Sequence, residues 1–433
     1  MSIQGLPGFR DFYPDELSVR SHVFGAMRRV AQRYGFEEYD GPPLEPLELY
    51  TQKSGEEIVG QLYSFRDKGN RDVALRPEMT PTLARMVAPK VSALKKPIRW
   101  FSIPQLFRYE RQQRGRLREH FQLNCDLIGE AGPLADAEII AVAIDVMREL
   151  GLGAADVRVR ISDRRLLKGI LSEIGFTEAQ GPLAFQALDK LGRGEYDPRR
   201  QALLAGGATE SQVARLESLG GVRVWADLER DFPAAVGHGA ALSATIAALG
   251  AMGLGDFLDL DLTIVRGLAY YTGTVFELFD AGRSLRAICG GGRYDGLLEA
   301  LGGAAAPALG FGMGDVVLTE LLRDRGLLPA PPASVDVFLA LVSIDDRLFA
   351  LGLAHRLRDE GFRVEYSFSE PSLGKQFKLA DARRATVVVV AGPDDRARGE
   401  VVVKFLADGS QQSVPTGDLV GALEARGCRR LTR

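Results

Sequence analysis

An arginine-rich segment, residues 107–120, holds the densest concentration of groups that could do chemistry in this sequence. Guanidinium groups present forked donors that match phosphate oxygens, and burying several of them together is costly without an anionic ligand. An isolated run of basic residues more often forms a solvated, charged hairpin tip. The residues that follow must therefore decide between a phosphate-binding loop and an exposed tip. The arginines surround Gly115 between two predicted strands, at Arg108, Arg111, Arg114, Arg116 and Arg118.

The segment directly after it, residues 121–128, alternates between apolar and polar side chains. Alternate side chains of a strand point to opposite faces, which places Gln122, Asn124 and Asp126 together on one face. Amide and carboxylate groups beside an arginine loop could bind an amine or an imidazole while the arginines hold a nucleotide. On alternation alone, a sheet face exposed to water is the simpler interpretation.

The elements that must position these groups are predicted to form a mainly antiparallel sheet with helices over residues 1–328. Residues 163–254 are helical in pattern, rich in alanine and leucine with glycine and proline interruptions, and indicate a helical insertion. Strands at 272–279 and 285–289 flank a short polar connection and predict a hairpin. Apolar periodicity predicts further helices at 17–34 and 134–150, and further strands at 72–76, 98–103, 121–128 and 157–161.

A proline-rich segment, residues 327–332, breaks any helix and favours an extended path, which is typical of an interdomain linker. Strands and helices then alternate regularly, and this pattern predicts a small α/β domain with a largely parallel sheet over residues 333–433. The predicted elements are strands at 335–342, 363–368 and 386–391 and helices at 345–360 and 373–384.

The bulk composition excludes several classes of protein. The sequence has no apolar run long enough to span a bilayer, and its first residues do not resemble a signal peptide, so a cytoplasmic protein without membrane contact is expected. The three cysteines and four histidines are scattered without metal-ligand spacing, which predicts neither a disulfide framework nor a metal site. A net charge of −3 leaves room for a local basic groove.

The arginine segment and the strand after it, residues 107–122, resemble motif 2 of the class II aminoacyl-tRNA synthetases in its histidyl form. Two further segments, 266–277 and 290–297, resemble the two signatures peculiar to the histidyl-tRNA synthetase family. The resemblance also includes residues 8–11, 75–80 and 375–381, and so extends over nearly the whole chain apart from the helical insertion.

This resemblance implies an α+β class II synthetase catalytic domain with a helical insertion, followed by an α/β domain of the anticodon-binding type. The implied activity is that of a histidine–tRNA ligase, which converts L-histidine and ATP to histidyl-adenylate and transfers the histidine to the 3′ end of histidine tRNA. Magnesium would arrive with ATP. The family also implies a homodimer that pairs through the segment around residues 44–51.

The resemblance assigns roles to individual side chains. Arg108 would contact the α-phosphate of ATP and Arg116 its outer phosphates, with Glu110 near the adenine and His120 stacked on it. Arg266 would be the catalytic cation, because attack of a carboxylate on a phosphate brings two anions together. The remaining assignments are Glu78, Thr80 and Gln122 to the histidine ammonium, Asp126, Tyr271 and Tyr294 to the imidazole pocket, and Gln113 and Arg118 to the acceptor end of the tRNA.

The sequence departs from the family pattern at several of these segments. Val317 stands where motif 3 carries an arginine that contacts the terminal phosphate, and loss of one such contact costs about 1.5–3 kcal/mol unless Arg116 or Arg114 takes it over. Ala269 replaces an aspartate, and Asp126 is shorter than the usual glutamate. The usual aromatic-histidine order is inverted at residues 120–121.

These departures keep two alternatives open. One is a histidine-sensing regulatory subunit that retains the class II scaffold without catalysis, although such regulators generally lack the C-terminal domain predicted here. The other is a paralogue that ligates an amino acid to a non-tRNA acceptor. The glycines at 310–314 do not have the spacing of a dinucleotide-binding loop, and no βαβ unit with an acidic residue at the right distance follows them.

Overall fold

The computed structural model divides the chain into two compact units, Met1–Pro329 and Ala330–Arg433. The structure describes residues 3–51, 59–111, 113–191, 196–265, 271–282, 284–331, 333–369, 372–428 and 430.

The strands of the first unit build one large sheet and one small sheet. In chain order they are β1 (Glu37–Glu38), β2 (Leu44–Pro46), β3 (Tyr63–Arg66), β4 (Asp72–Leu75), β5 (Ile98–Ser102), β6 (Gln105–Phe107), β7 (Glu119–Ile128), β8 (Val157–Asp163), β9 (Leu258–Leu260), β10 (Thr274–Asp280), β11 (Cys289–Arg293) and β12 (Ala308–Gly314). The nine-stranded sheet has the order β1-β5-β7-β12-β11-β10-β8-β9, with β6 paired to β7, and the small sheet has the order β2-β4-β3. Strand pairing is antiparallel except for β1 with β5 and β8 with β9.

Helices cover the large sheet and fill the stretch between β8 and β9. They are α1 (Pro14–Arg33), α2 (Glu48–Thr51), α3 (Thr80–Val87), α4 (Pro133–Glu149), α5 (Arg164–Ile174), α6 (Gly181–Asp189), α7 (Tyr196–Ala205), α8 (Glu210–Ser218), α9 (Trp225–Asp231), α10 (Ala240–Ala251), α11 (Leu297–Ala300) and α12 (Asp315–Asp324). Helices α5 to α10 are the elements of the predicted helical insertion, and α4 and α10 pack against each other.

The main core lies between the large sheet and helices α1 and α4. Helix α1 starts at a proline, which is compatible with the first turn, and buries the apolar stripe of Val23, Met27 and Val30. Full burial of each such side chain stabilises the fold by about 1.5–3 kcal/mol. Helix α4 is buried over most of its surface and packs against the sheet, so it supports the strands beneath it.

The sheet of the second unit has the order β14-β13-β15-β16-β17. Strand β13 is parallel to β14 and β15, whereas β16 and β17 continue the sheet antiparallel. Its elements in chain order are β13 (Val337–Leu341), α13 (Arg347–Asp359), β14 (Val364–Tyr366), α14 (Leu373–Ala382), β15 (Val387–Ala391), α15 (Pro393–Ala397), β16 (Glu400–Phe405), β17 (Gln411–Pro415) and α16 (Leu419–Ala425).

One predicted strand is displaced. The hairpin was expected to return through residues 285–289, whereas β11 starts at Cys289 and continues through three glycines to Arg293. Glycine runs are typical of loops, but this one lies between β10 and β12 and pairs with both. At Gly291 even a Cβ atom would meet the Cβ of Phe311 at 2.6 Å, so only glycine fits there without displacing its neighbour.

In the described part of the chain no helix combines the length and the apolar character needed to cross a membrane. Nor do the described residues bring three or more histidine, cysteine, aspartate or glutamate side chains together as a metal site.

Candidate active site

A cavity of about 510 Å³ opens above strands β7, β12 and β11 of the large sheet. It brings together residues that lie far apart in sequence, from the start of α3, the arginine segment and the two glycine-rich strands. Most of the side chains predicted to bind ATP and histidine line it: Glu78, Thr80, Arg108, Glu110, Arg116, His120, Gln122 and Tyr271. Arg266, the predicted catalytic cation, lies outside the described residues.

The floor of the cavity is the face of β12 that carries only glycines. In the register of β7 with β12, the polar residues Gln122, Asn124 and Asp126 lie opposite Gly314, Gly312 and Gly310. A Cβ on Gly312 would come within 2.6 Å of the Gln122 carboxamide carbon, and one on Gly310 would overlap the Asp126 carboxylate. The glycines therefore keep open the space that the polar row occupies.

Asp126 and Tyr294 form a buried pair behind the cavity wall. The Tyr294 hydroxyl donates to Oδ1 of Asp126 at 2.5 Å, and both residues are about 3% exposed. Burial raises the pKa of Asp126 to about 7, against the opposing effect of this hydrogen bond. A carboxyl group with that pKa can change its proton state near neutral pH and can accept a hydrogen bond from an imidazole.

The amide and carboxylate groups predicted for the ammonium of histidine lie at the same end. Gln122 and Asn124 line the cavity from β7, and the Asn124 amide donates to the backbone carbonyl of Gln122 at 2.9 Å. Glu78 is buried just before α3, where Thr80 starts the helix. This arrangement provides acceptors for an ammonium group.

The arginine segment supplies basic groups to the cavity lining. Arg108 donates from Nε to the backbone carbonyl of Pro77 at 2.9 Å, which fixes its side chain at the cavity wall. Arg116 lines the cavity beside Gly115 and forms an ion pair with the buried Glu110. Two arginines at one end of a cavity favour a polyanionic ligand, and Glu110 holds one of them in place.

His120 lines the cavity among these cations. Burial lowers the pKa of His120 to about 3, and the positive charges of Arg108, Arg10 and Arg116 act in the same direction. The imidazole is therefore neutral at physiological pH, and a neutral ring can stack on a base without adding charge.

The other arginines of the segment lie elsewhere. Arg114 pairs with Glu320 at 3.3 Å and Asp324 at 3.2 Å on α12, and 65% of its side chain is exposed. Of the two arginines considered as substitutes for the missing motif 3 arginine, only Arg116 lines the cavity. Val317 also lines it but belongs to the apolar core.

The two residues predicted for the acceptor end of the tRNA lie on the loop. Gln113 accepts a hydrogen bond from Arg286 at 2.5 Å, and Arg118 lies over the Tyr109 ring at 4.2 Å. Gln113 is exposed, whereas Arg118 is half-buried.

Sequence reasoning assigned no role to Arg10, yet it joins the parts of the site. Its guanidinium donates to Glu119 at 2.6 Å and to Asp315 at 2.9 Å, and Asp315 also accepts the backbone N–H of Phe121 at 2.9 Å. The segment before α1, the start of β7 and the first residue of α12 are thereby tied together directly beside His120. The only signal in the sequence was that Arg10 lies in one of the segments that resemble the family.

Arg293 is a second residue that sequence reasoning missed, although it lies in the second signature. It is among the largest fully buried side chains and pairs with Asp136 of α4 at 2.7 Å. It also donates to the backbone carbonyl of Glu130 at 2.9 Å. Arg293 thus anchors the end of β11, next to Tyr294, to the helix beneath the sheet.

A second cavity of about 760 Å³ lies among the insertion helices. Its basic lining residues are Arg164, Lys168, Lys190 and Arg199. Asp189 and Val265 line both cavities, so the basic wall of the second lies next to the first.

Comparisons with known proteins agree with this geometry. The family described as Histidyl-tRNA synthetase matches residues 8–315, and the family described as Anticodon binding domain matches residues 336–426. The chain is 44% identical over 424 residues to the histidine–tRNA ligase of Opitutus terrae and 42% identical over 422 residues to that of Haloarcula marismortui, with 96% of each chain covered. Among solved structures, the histidyl-tRNA synthetase of Nostoc sp. PCC 7120 is similar with a TM-score of 0.83 and 26% identity, over 98% of this chain and 100% of that one.

Proposed function

The chain belongs to the histidyl-tRNA synthetase family and has its activity, the ATP-dependent ligation of L-histidine to histidine tRNA, and from this premise we propose which residues carry each step. In the first step a carboxylate oxygen of histidine attacks the α-phosphorus of ATP, the bond to the bridging oxygen of the β-phosphate breaks, and pyrophosphate leaves. In the second step a ribose hydroxyl of the terminal tRNA nucleotide attacks the histidyl carbonyl, and AMP leaves.

Arg108 and Arg116 bind the phosphates in this proposal. Their place at the basic end of the cavity supports it, since each can offset negative charge that grows on the phosphates during attack. Arg116 must exchange part of its ion pair with Glu110 for a phosphate, which leaves Glu110 available for the adenine amino group. The neutral His120 stacks on the adenine, and Arg266 is proposed as the cation at the reacting carboxylate.

Histidine binds at the opposite end. Glu78, Thr80 and Gln122 receive its ammonium group, and Asp126, Tyr271 and Tyr294 surround its imidazole. The observation that carries this proposal is the hydrogen bond from Tyr294 to Asp126 beside the glycine face of β12, because it presents a buried acceptor to an imidazole. A competing amino acid without ring nitrogens would leave these buried groups unpaired, which is how a hydrogen-bonding site rejects an analogue.

The tRNA contacts are proposed on two domains. Gln113 and Arg118 on the loop contact the acceptor end, and the basic wall around Arg164 and Lys168 offers additional phosphate contacts beside it. Residues 1–328 form the catalytic domain with its insertion at about 163–254, and residues 333–433 bind the anticodon.

Three further properties are proposed with the activity. Mg²⁺ enters the site bound to ATP rather than to a protein ligand set. The protein acts in the cytoplasm. It forms a homodimer through the segment around 44–51, where Leu44 is exposed. Sedimentation at micromolar concentration tests the dimer, and a monomer there would refute it.

The two alternatives raised by Val317 and Ala269 are not favoured. The histidine–tRNA ligases of Opitutus terrae and Haloarcula marismortui are more than 40% identical over nearly the full chain, and the C-terminal domain matches the anticodon-binding family. Arg116 and Val317 both line the cavity, which supports the proposal that Arg116 supplies the cation that Val317 cannot.

The assignments are tested by histidine-dependent exchange of pyrophosphate into ATP. The wild-type protein is assayed with each amino acid singly, and Arg266→Ala and Arg108→Ala are assayed with histidine. We expect exchange with histidine alone and a loss of at least about 100-fold in each variant, as for removal of a transition-state charge contact. Exchange at the wild-type rate in either variant would refute that arginine's role.

A further inference from the structure

Two buried hydroxyl groups lie next to the proposed histidine pocket, and within the described residues neither makes a hydrogen bond of ordinary geometry. They are the phenol of Tyr39 and the hydroxyl of Ser102. Ser102 is only 1% exposed, and the ring of Tyr39 is partly exposed although its hydroxyl is buried. A buried hydroxyl without a partner is costly, so a pair of them calls for a physical account.

The sheet places both hydroxyls on the face that carries Asp126. In the register of β5 with β7, Trp100 lies opposite Asp126 and Ser102 opposite Asn124. Residues opposite each other in an antiparallel pair project to the same face. Tyr39 follows β1, donates its backbone N–H to Phe101 at 2.9 Å and packs its ring against Trp100 at 5.5 Å.

The electrostatics agree with this placement. Burial raises the pKa of Tyr39 well above its ordinary value, and the charge of Asp126 acts in the same direction, whereas the neighbouring Ser102 hydroxyl acts against both. The phenol therefore keeps its proton and remains a donor at any pH at which the protein works. Asp126 has one donor, Tyr294, among the hydrogen bonds described for its side chain.

A single hydrogen-bond donor is a small number for a carboxylate as deeply buried as that of Asp126. A carboxylate that accepts two or three hydrogen bonds is held ionised, whereas burial alone favours the protonated form. Asp126 is also shorter than the glutamate usual in the family, and a shorter side chain leaves more room between the carboxylate and the hydroxyls of β1 and β5. The hydroxyls of Tyr39 and Ser102 are thus on the correct face to donate hydrogen bonds to the Asp126 carboxylate.

We propose that Tyr39 and Ser102 are positioning residues for Asp126, whose hydroxyls donate toward its carboxylate, directly or through one water, when histidine binds. They hold Asp126 ionised and oriented as the acceptor that selects the imidazole. The inference rests on the proposed role of Asp126 in the histidine pocket and extends the specificity machinery to the outer strands β1 and β5.

The test uses Tyr39→Phe, Ser102→Ala and the double variant of the full-length protein in the pyrophosphate exchange assay. We expect the KM for histidine to rise about 10-fold or more in each single variant, because each loses a hydrogen bond to a charged group. The KM for ATP and kcat should stay within about twofold, since neither residue touches the phosphate end. Tyr34→Phe is the matched control, because its hydroxyl bonds Asp145 at 2.7 Å and Asp145 lies on α4.

The pH dependence of the KM for histidine is a second readout. It would not change if Tyr39 and Ser102 only stabilised the fold. Removing donors to a carboxylate raises its pKa, so the pH below which the KM for histidine climbs should shift upward in both variants. An unchanged KM for histidine and an unchanged pH profile, together with a higher melting temperature, would overturn the inference. That result would show that the hydroxyls are unsatisfied core groups whose removal relieves a cost.

Failure of this inference differs from failure of the proposed function. Exchange by the wild-type protein that does not require histidine, or wild-type histidine affinity in Asp126→Asn, would remove the role of Asp126 itself and the inference with it. Normal histidine-dependent exchange in the wild type, an impaired Asp126→Asn and unaffected Tyr39 and Ser102 variants would refute only the positioning role.

Discussion

Arg10 and Asp315 are joined by an ion pair of 2.9 Å although 305 residues separate them in the chain. The Asp315 side chain is 4% exposed and also accepts the backbone N–H of Phe121. Glu119, which is 1% exposed, binds the same guanidinium. One partly exposed cation therefore offsets two buried carboxylates at the point where β7 and α12 begin.

Replacing Arg10 should destabilise the first unit strongly. Arg10→Met leaves Asp315 and Glu119 without their cation, and we expect the free energy of unfolding to fall by about 2–4 kcal/mol at pH 7. Chemical denaturation followed by tryptophan fluorescence measures it. Arg29→Met is the control, because the Arg29 pair with Glu149 is largely exposed and should contribute less than about 1 kcal/mol.

The Arg10 effect should depend on pH. Burial raises the pKa of Asp315 in the folded state. The contribution of Asp315 to the free energy of unfolding therefore falls as the pH rises and the carboxyl ionises, and it recovers as the pH falls and the carboxyl is protonated. Without Arg10 this pKa rises further. The deficit of Arg10→Met relative to wild type should therefore shrink as the pH is lowered from 7, and a deficit independent of pH would argue that Asp315 is not the group left unpaired.

The structure separates the two arginines that the sequence could not. Arg116→Ala should raise the KM for ATP by about 10- to 100-fold, which corresponds to the loss of one charge-assisted contact. Arg114→Ala should change it less than about threefold, because Arg114 is engaged with Glu320 and Asp324 on α12. Equal effects of both variants in the exchange assay would contradict the assignment of Arg116 as the cation that replaces the motif 3 arginine.

The glycine face of β12, opposite Gln122, Asn124 and Asp126, allows a steric prediction. In Gly310→Ala the new methyl group would overlap the Asp126 carboxylate and lie 2.7 Å from the Cys125 carbonyl oxygen. We expect catalytic efficiency with histidine to fall about 100-fold or more, because displacement of a positioning group by about 1 Å has effects of that size. The cost in stability should be about 1–3 kcal/mol.

The control for this substitution is Gly250→Ala in α10, where a Cβ would meet no atom within 4 Å. Alanine is favoured over glycine by up to about 1 kcal/mol in a helix, and Gly250 lies in the last turn of α10, so this variant should be as stable as wild type or slightly more so. Wild-type histidine kinetics in Gly310→Ala would mean that Asp126 does not occupy its described position during catalysis.

Asp126 gives a second pH prediction with its own sign. Its pKa is about 7 in the folded protein and near 4 in an unfolded chain, so the protonated form is favoured by folding. Its contribution to stability is complete below about pH 4 and is lost as the pH rises through about 7. In the absence of histidine, Asp126→Asn should therefore be stabilised relative to wild type at pH 8 by about 1–3 kcal/mol, and this difference should vanish at pH 4.

Binding of histidine follows the opposite trend, since the ionised carboxylate is the better acceptor. The KM for histidine of the wild type should rise as the pH falls below about 7. Free histidine also titrates there, so the part of the pH dependence that remains in Asp126→Asn belongs to the ligand. Identical profiles for the two proteins would exclude titration of Asp126 from histidine recognition.

Local patterns predicted the polar face of β7 correctly, because alternation is a property of the strand itself. Gln122 and Asn124 line the cavity as one row with Asp126 behind them. The simpler interpretation from alternation alone, a sheet face exposed to water, was wrong, since Asn124 and Asp126 are buried. Whether this face is buried or exposed depends on the pairing of β7 with β12, and no local sequence pattern predicts that pairing.

The residues that sequence reasoning missed share this physical reason. Arg10 acts through Asp315, and Arg293 through Asp136, over separations of 305 and 157 residues. Tyr39 and Ser102 become interesting only because β1 and β5 continue the sheet next to Asp126. The shifted position of β11 has the same origin, because its glycines form a strand only when neighbours on both sides supply hydrogen bonds.

Strand β7 also sets an order for biosynthesis. Its neighbour β5 is made just before it, whereas its other neighbour β12 ends at Gly314, after all the insertion helices have left the ribosome. Until then one edge of β7 has no permanent partner, and an open edge is a place where nascent chains associate with each other. The growing chain therefore passes through a stage in which the insertion is complete and the active site still lacks β12. A ribosome that stalls between β8 and β12 would release a fragment with an aggregation-prone edge.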